Sequence, residues 1–201
     1  LSDSYQWMEK SENSAELKRW MLAQAKVTNE ISSADPTRDE LYKRLKELLG
    51  SASTVFSVQR AGENTFYMYL DESSQTAKLM VRNKEGVSRV LIDPSKFNGV
   101  DGEHASLDNY SLSSNGDYVT VNVSSGGGEL TDIYFVNTAT GERLKDKLTW
   151  IWGEFPAVWM PDDSGVLYTR MSRESKTDSS INKMQNMGVY FHKLGTAVED
   201  D

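Results

Sequence analysis

Asp117-Tyr-Val-Thr-Val-Asn-Val123, reached through the turn Ser114-Asn115-Gly116 and followed by Ile133-Tyr-Phe-Val136 and Thr140-Gly141, decides the fold because its pattern occurs three times. The earlier copy holds Phe66-Tyr-Met-Tyr69, Leu79-Met-Val81 and a turn at Gly86. The later copy holds Val166-Leu-Tyr168, Val189-Tyr-Phe191 and Leu194-Gly-Thr196. Gly62 to Gly116 is 54 positions and Gly116 to Gly165 is 49, while Gly86 to Gly141 is 55 and Gly141 to Gly195 is 54. Two landmarks advancing together by about 50 residues indicate one supersecondary unit repeated, at the period of propeller blades.

Each copy reads as strand. Val119, Val121 and Val123 alternate with Thr120 and Asn122, the period-two pattern of a strand with one buried face. Ala61-Gly-Glu-Asn64, Ser114-Asn-Gly-Asp117 and Asp162-Asp-Ser-Gly165 supply residues that tolerate the positive φ of hairpin turns. About four short strands fit in each copy, which makes one blade. The expected fold class is therefore mainly β: an incomplete propeller of about three four-stranded blades, near residues 51–97, 105–148 and 150–201, preceded by a helical segment over 1–50. The polar stretch from Arg173 to Met187 reads as an insertion in the third copy.

The helical segment follows from spacing. Leu17, Trp20, Met21 and Ile31 recur at helical intervals, with Asn13 and Glu16 placed as a capping pair, and Pro36 breaks the chain. Thr37-Arg-Asp-Glu40 repeats the capping pattern, Leu41, Leu45, Leu48 and Leu49 form a stripe, and Gly50 is the stop. Both stripes need a layer to pack on.

Composition narrows the function classes. A net charge of −8 disfavours phosphate backbones and anionic lipid, so neither nucleic acid nor membrane is an expected partner. No apolar run approaches the length of a spanning helix, and Leu1 opens a polar stretch without signal-peptide shape. The chain is expected to be soluble, in cytoplasm or periplasm, and a trimmed or truncated product. Without cysteine there is no disulfide, thiolate metal site or cysteine nucleophile.

Catalytic signatures are missing from these residues. The two histidines, His104 in a polar loop and His192 on a strand, read as structural or exposed, and no Gly-x-Ser-x-Gly elbow occurs. Gly126-Gly-Gly128 lacks the Lys-Ser/Thr of a phosphate loop and reads as a hairpin tip. Asp71-Glu72 and Asp162-Asp163 read as solvated turns, so no metal and no cofactor is expected. An aromatic cluster, Trp150, Trp152, Phe155 and Trp159, marks the passage from the second copy to the third. Trp159 reads as core, whereas Trp152 and Phe155 read equally as core or as rigid surface for a ligand.

End to end, the chain resembles the amino-terminal part of the prolyl oligopeptidase family of serine peptidases. The resemblance is carried by Tyr5-Gln-Trp-Met-Glu9, Arg19-Trp20 with Ala23-Gln24, Arg89-Val-Leu-Ile-Asp-Pro94, Ala157-Val-Trp-Met-Pro-Asp162 and Val189-Tyr-Phe-His-Lys-Leu-Gly-Thr196. It implies a seven-bladed propeller beside an α/β-hydrolase domain that supplies the whole catalytic triad, so no catalytic residue maps here. It implies that Leu17, Trp20, Leu41, Leu45 and Leu48 pack on that missing domain. It also implies cleavage of short peptides after proline, with the propeller as a filter and an aromatic residue early in the third blade on the substrate side. Phe155 fits that place first, then Trp152, with Glu154 the third choice. A different reading is a stand-alone β-repeat module that binds a peptide or protein. Three blades without the rest leave edges and stripes uncovered, so self-association is expected.

Overall fold

A computed structural model of the chain describes residues 3–49, 52–97, 104–171 and 187–201. The chain forms two compact units, Leu1–Ala52 and Ser53–Asp201.

The first unit is helical. Two short 3-10 turns, Gln6–Glu9 and Ser11–Asn13, lead into α1 (Ser14–Ala34), and α2 (Arg38–Leu49) follows Pro36. The helices stand where the periodicity places them, but the cap of α1 differs from expectation. Asn13 makes no side-chain cap bond and instead donates from Nδ2 to the Trp7 carbonyl at 2.8 Å. Thr37 Oγ1 donates to Asp35 Oδ1 at 2.7 Å, which holds the Asp35 carboxyl below its usual range. Neither helix contains a buried residue: Trp20, Leu41, Leu45 and Leu48 are exposed and Leu17 is half-buried.

The second unit is three antiparallel sheets. The first comprises β1 (Thr54–Ala61), β2 (Asn64–Leu70), β3 (Lys78–Arg82) and β4 (Ser88–Ile92) in sequential order. The second comprises β5 (Ala105–Leu112), β6 (Tyr118–Ser125), β7 (Leu130–Asn137) and β8 (Arg143–Trp152). The third holds β9 (Val158–Trp159), β10 (Gly165–Arg170) and β11 (Gly188–Lys193), three strands among the described residues where the repeat predicts four. The predicted insertion lies mostly outside the described residues, at 172–186.

Sequential meanders follow from the short turns between alternating segments. The glycine landmarks are conformational: Gly86, Gly141 and Gly195 take φ of +83°, +76° and +80°. Gly165 is not their counterpart at the other landmark. The positive φ there belongs to Asp163, at +57°, while a Cβ on Gly165 would lie 2.1 Å from the His192 carbonyl oxygen. The shorter 49-residue step thus reflects a glycine kept for a close strand crossing, with the turn itself shifted.

Two apolar layers lie between the sheets. Phe66, Met68, Leu79, Val81, Tyr110, Val119, Val121 and Val123 form the first. Ile133, Phe135, Leu148, Ile151, Trp159, Val166 and Tyr168 form the second. Each large side chain fully buried in this way contributes about 1.5–3 kcal/mol of transfer free energy. Polar ties align the layers. Tyr110 donates its hydroxyl to the carbonyls of Ser57 and Phe66, and Arg89 donates to those of Thr138 and Ala139. Asp163 Oδ1 receives the Ser114 amide at 2.6 Å, so the turn of the third sheet caps the turn of the second.

Candidate substrate-facing groove

The aromatic passage between the second and third sheets begins in an irregular stretch of β8. Thr131 pairs with Ile151 but Ile133 with Leu148, so β8 carries extra length opposite β7. Trp150 sits there at φ +66°, a conformation that costs a bulky residue energy and persists only when its surroundings impose it. Its carbonyl accepts the Met171 amide at 3.0 Å, which ties the end of β10 to the bulge. Bulges of this kind re-aim the end of a strand.

Beyond the bulge the chain turns. The Gly153 amide donates to the Glu129 carbonyl at 2.8 Å, the Phe155 amide to the Trp152 carbonyl at 3.0 Å, and Asn109 Nδ2 to the Gly153 carbonyl at 2.7 Å. These bonds hold Trp152, Gly153 and Glu154 in the lining of a groove of about 400 Å3, together with Asp108, Asn109 and Glu129. The expected site residues separate here. Trp152 and Glu154 line the groove, half-buried and exposed respectively. Phe155 is 41% exposed beside it. Ala157 and Trp159 are buried in the second apolar layer, so the cluster divides into core and surface after Pro156.

The groove is acidic. Asp108 Oδ1 accepts from Ser124 Oγ at 2.9 Å and from Ser106 Oγ at 3.4 Å. Desolvation by its surroundings nevertheless outweighs these hydrogen bonds and raises the Asp108 pKa, although the residue as a whole is exposed. With carboxyl groups from Asp108, Glu129 and Glu154 and one indole face, the groove suits hydrogen-bond donors and apolar rings better than anions. Among the described residues, no group of three or more His, Asp or Glu is arranged to hold a metal ion.

The structure also joins residues that the sequence did not connect. His192 is fully buried, with Nδ1 2.9 Å from Asp201 Oδ1 and Nε2 3.1 Å from Asp146 Oδ1. With a carboxyl group at each ring nitrogen, neither nitrogen is placed to activate a serine, so this is no nucleophilic triad. His104 is exposed. Asp146 lies 46 residues before His192, a separation at which spacing carries no signal.

Comparison with known proteins places this geometry. The family model described as prolyl oligopeptidase, N-terminal beta-propeller domain, matches residues 1–201. The chain is 25% identical over its full length to the prolyl endopeptidase of Elizabethkingia meningoseptica and 24% identical to that of Elizabethkingia miricola. In each case it spans 28% of the relative's length. Among solved structures, a prolyl endopeptidase superposes over the whole chain with a TM-score of 0.86 at 25% identity, the chain covering 29% of it. Prolyl oligopeptidase B of Galerina marginata shares the fold, with a TM-score of 0.78 at 21% identity over the whole chain and 29% of that structure.

Proposed function

Since the chain belongs to the prolyl oligopeptidase N-terminal β-propeller family, we propose that it is the leading part of a serine-type peptidase that cleaves short peptides after proline. In this reading the helices and sheets support a catalytic domain encoded elsewhere, gate access to it, and are inactive alone. The observation that carries the reading is an apolar row on the outer face of the third sheet. Val158, Leu167 and Phe191 are cross-strand partners, and all three are exposed. A soluble sheet does not normally leave such a row open, and a further blade would cover it. Trp20, Leu41 and Leu45 are likewise exposed on the helices, as stripes awaiting another layer would be.

Substrate contact falls to the groove, with Phe155 first, Trp152 second and Glu154 at the rim. Rigid aromatic surface and acceptor groups match the apolar rings and N–H donors of a short proline peptide. The test is steady-state kinetics on the full gene product bearing Phe155→Ala or Trp152→Ala. KM for a short proline peptide should rise several-fold with kcat nearly unchanged, because binding is lost and chemistry is not. An unchanged KM in both variants removes the groove from the substrate path.

A further inference from the structure

One cross-strand row of the third sheet spans the width of the second. Trp159 pairs with Val166, and Val166 with His192. Directly opposed residues share a face, and these three are 8%, 0% and 0% exposed, so the face is the one pressed on the second sheet. Phe135 of β7 sits beneath the row, 5.9 Å from the Trp159 ring and 5.6 Å from the His192 ring.

Both ends of the row are fixed by polar contacts to the outer strands of the second sheet. Trp159 Nε1 donates to the Ser111 carbonyl of β5 at 3.1 Å, and His192 Nε2 meets Asp146 of β8. The histidine end is braced further. Asp146 Oδ1 accepts the Gly195 amide at 2.6 Å, and Asp201 Oδ2 accepts the Tyr168 hydroxyl at 2.6 Å. Tyr168 stands in the next row of the same face and meets Tyr190 across the strand. Hydrogen bonds in such a buried cluster are directional, whereas an apolar interface of the same area fixes no direction.

From the Trp159 end the chain runs back through buried Ala157 to Phe155, whose carbonyl lies 3.4 Å from Asn122 Nδ2 of β6. On the β8 side, the strand that carries Asp146 ends in Trp152. The Trp159 end of the row thus continues into Phe155, and the strand that holds Asp146, the partner of His192, continues into Trp152.

We propose that His192, held between Asp146 and Asp201, is a positioning residue for the groove: it fixes the tilt of the third sheet on the second and so the placement of Phe155, on the chain that leads into the third sheet, beside Trp152 of the second. The proposal concerns how the groove is held and does not depend on what it binds. Residue-resolved amide hydrogen exchange on the 201-residue chain tests it, comparing His192→Gln and Asp201→Asn with the parent sequence. Exchange should quicken about tenfold or more at Val166, Tyr168 and Phe155, while Val121 and Val123, inside the second sheet, stay within about twofold. A uniform rise through all three sheets would mean that the cluster merely adds stability, and overturns the proposal. No change at Val166, or a change there that does not reach Phe155, overturns it equally. If His192→Gln fails to fold, the milder Asp146→Asn, which keeps the side-chain shape, is read by the same pattern.

Discussion

The indole Nε1 of Trp159 donates to the carbonyl oxygen of Ser111, 3.1 Å away and 48 residues earlier in the chain, across the boundary between the second and third sheets. The same ring stands edge-on to Phe135 and stacks at 6.2 Å on Tyr118. Trp159→Phe keeps most of the apolar contact but leaves the carbonyl without its donor, and should cost about 1–2 kcal/mol. Trp159→Ala opens a cavity as well and should cost about 3–5 kcal/mol. Urea unfolding of the two variants checks both the order and the gap.

Gly165 and Gly127 are expected to respond differently to alanine. A Cβ at Gly165 would overlap the His192 carbonyl at 2.1 Å, so strand β10 must shift against β11. Gly127, at φ +71° in the tip after β6, has nothing within 4 Å of its would-be Cβ. Gly165→Ala should cost about 2–3 kcal/mol through overpacking, and Gly127→Ala about 1–2 kcal/mol through the left-handed backbone alone. Thermal melts of the pair give the ranking, which equal losses would refute.

Tyr110 gives a pH prediction. Burial pushes its phenol up to about 12, from an ordinary value near about 10. The folded chain therefore keeps the proton that the unfolded chain releases first. Its contribution is complete below about pH 10 and disappears as pH rises through about 12. Tyr110→Phe should lose about 1 kcal/mol at neutral pH, from the bonds to Ser57 and Phe66. It should also show a shallower decline between these pH limits. Denaturant midpoints measured from pH 8 upward would show parallel declines if another group is responsible.

The open row Val158, Leu167 and Phe191 predicts association of the 201-residue chain with itself. Sedimentation velocity should show dimers or larger species whose fraction rises with concentration. Leu167→Lys, placing a charge in the middle of the row, should return the chain to monomer. A monomer at every concentration with the native sequence speaks against an uncovered face.

The β organisation was legible because it is written in short-range patterns: period-two alternation in β6, glycine at Gly86, Gly141 and Gly195, and Pro36 between two leucine-bearing stretches. Trp159 was read as core and is buried, whereas Trp152 and Phe155 were left between core and surface because the bulge at Trp150, which decides the matter, has no sequence signature. Asn13 stands at the N-cap of α1 yet its side chain bonds to Trp7, a choice that composition does not reveal. The acidic wall of the groove was not anticipated. Asp108 and Glu129 come from different hairpins of the second sheet and come to line one groove with Glu154 only once that sheet is folded. His192 likewise gained its partners through folding: Asp146 from a neighbouring sheet and Asp201 from beyond the strand end.

Hydrolysis of a chromogenic peptide with proline before the reporter group, assayed side by side with the 201-residue chain and with the full gene product, tests the account most directly. The full product should release the reporter after proline, become inactive with a serine-directed phosphonylating reagent, and leave the shorter chain without turnover. Turnover by the shorter chain, or a full product that leaves the peptide intact, contradicts it.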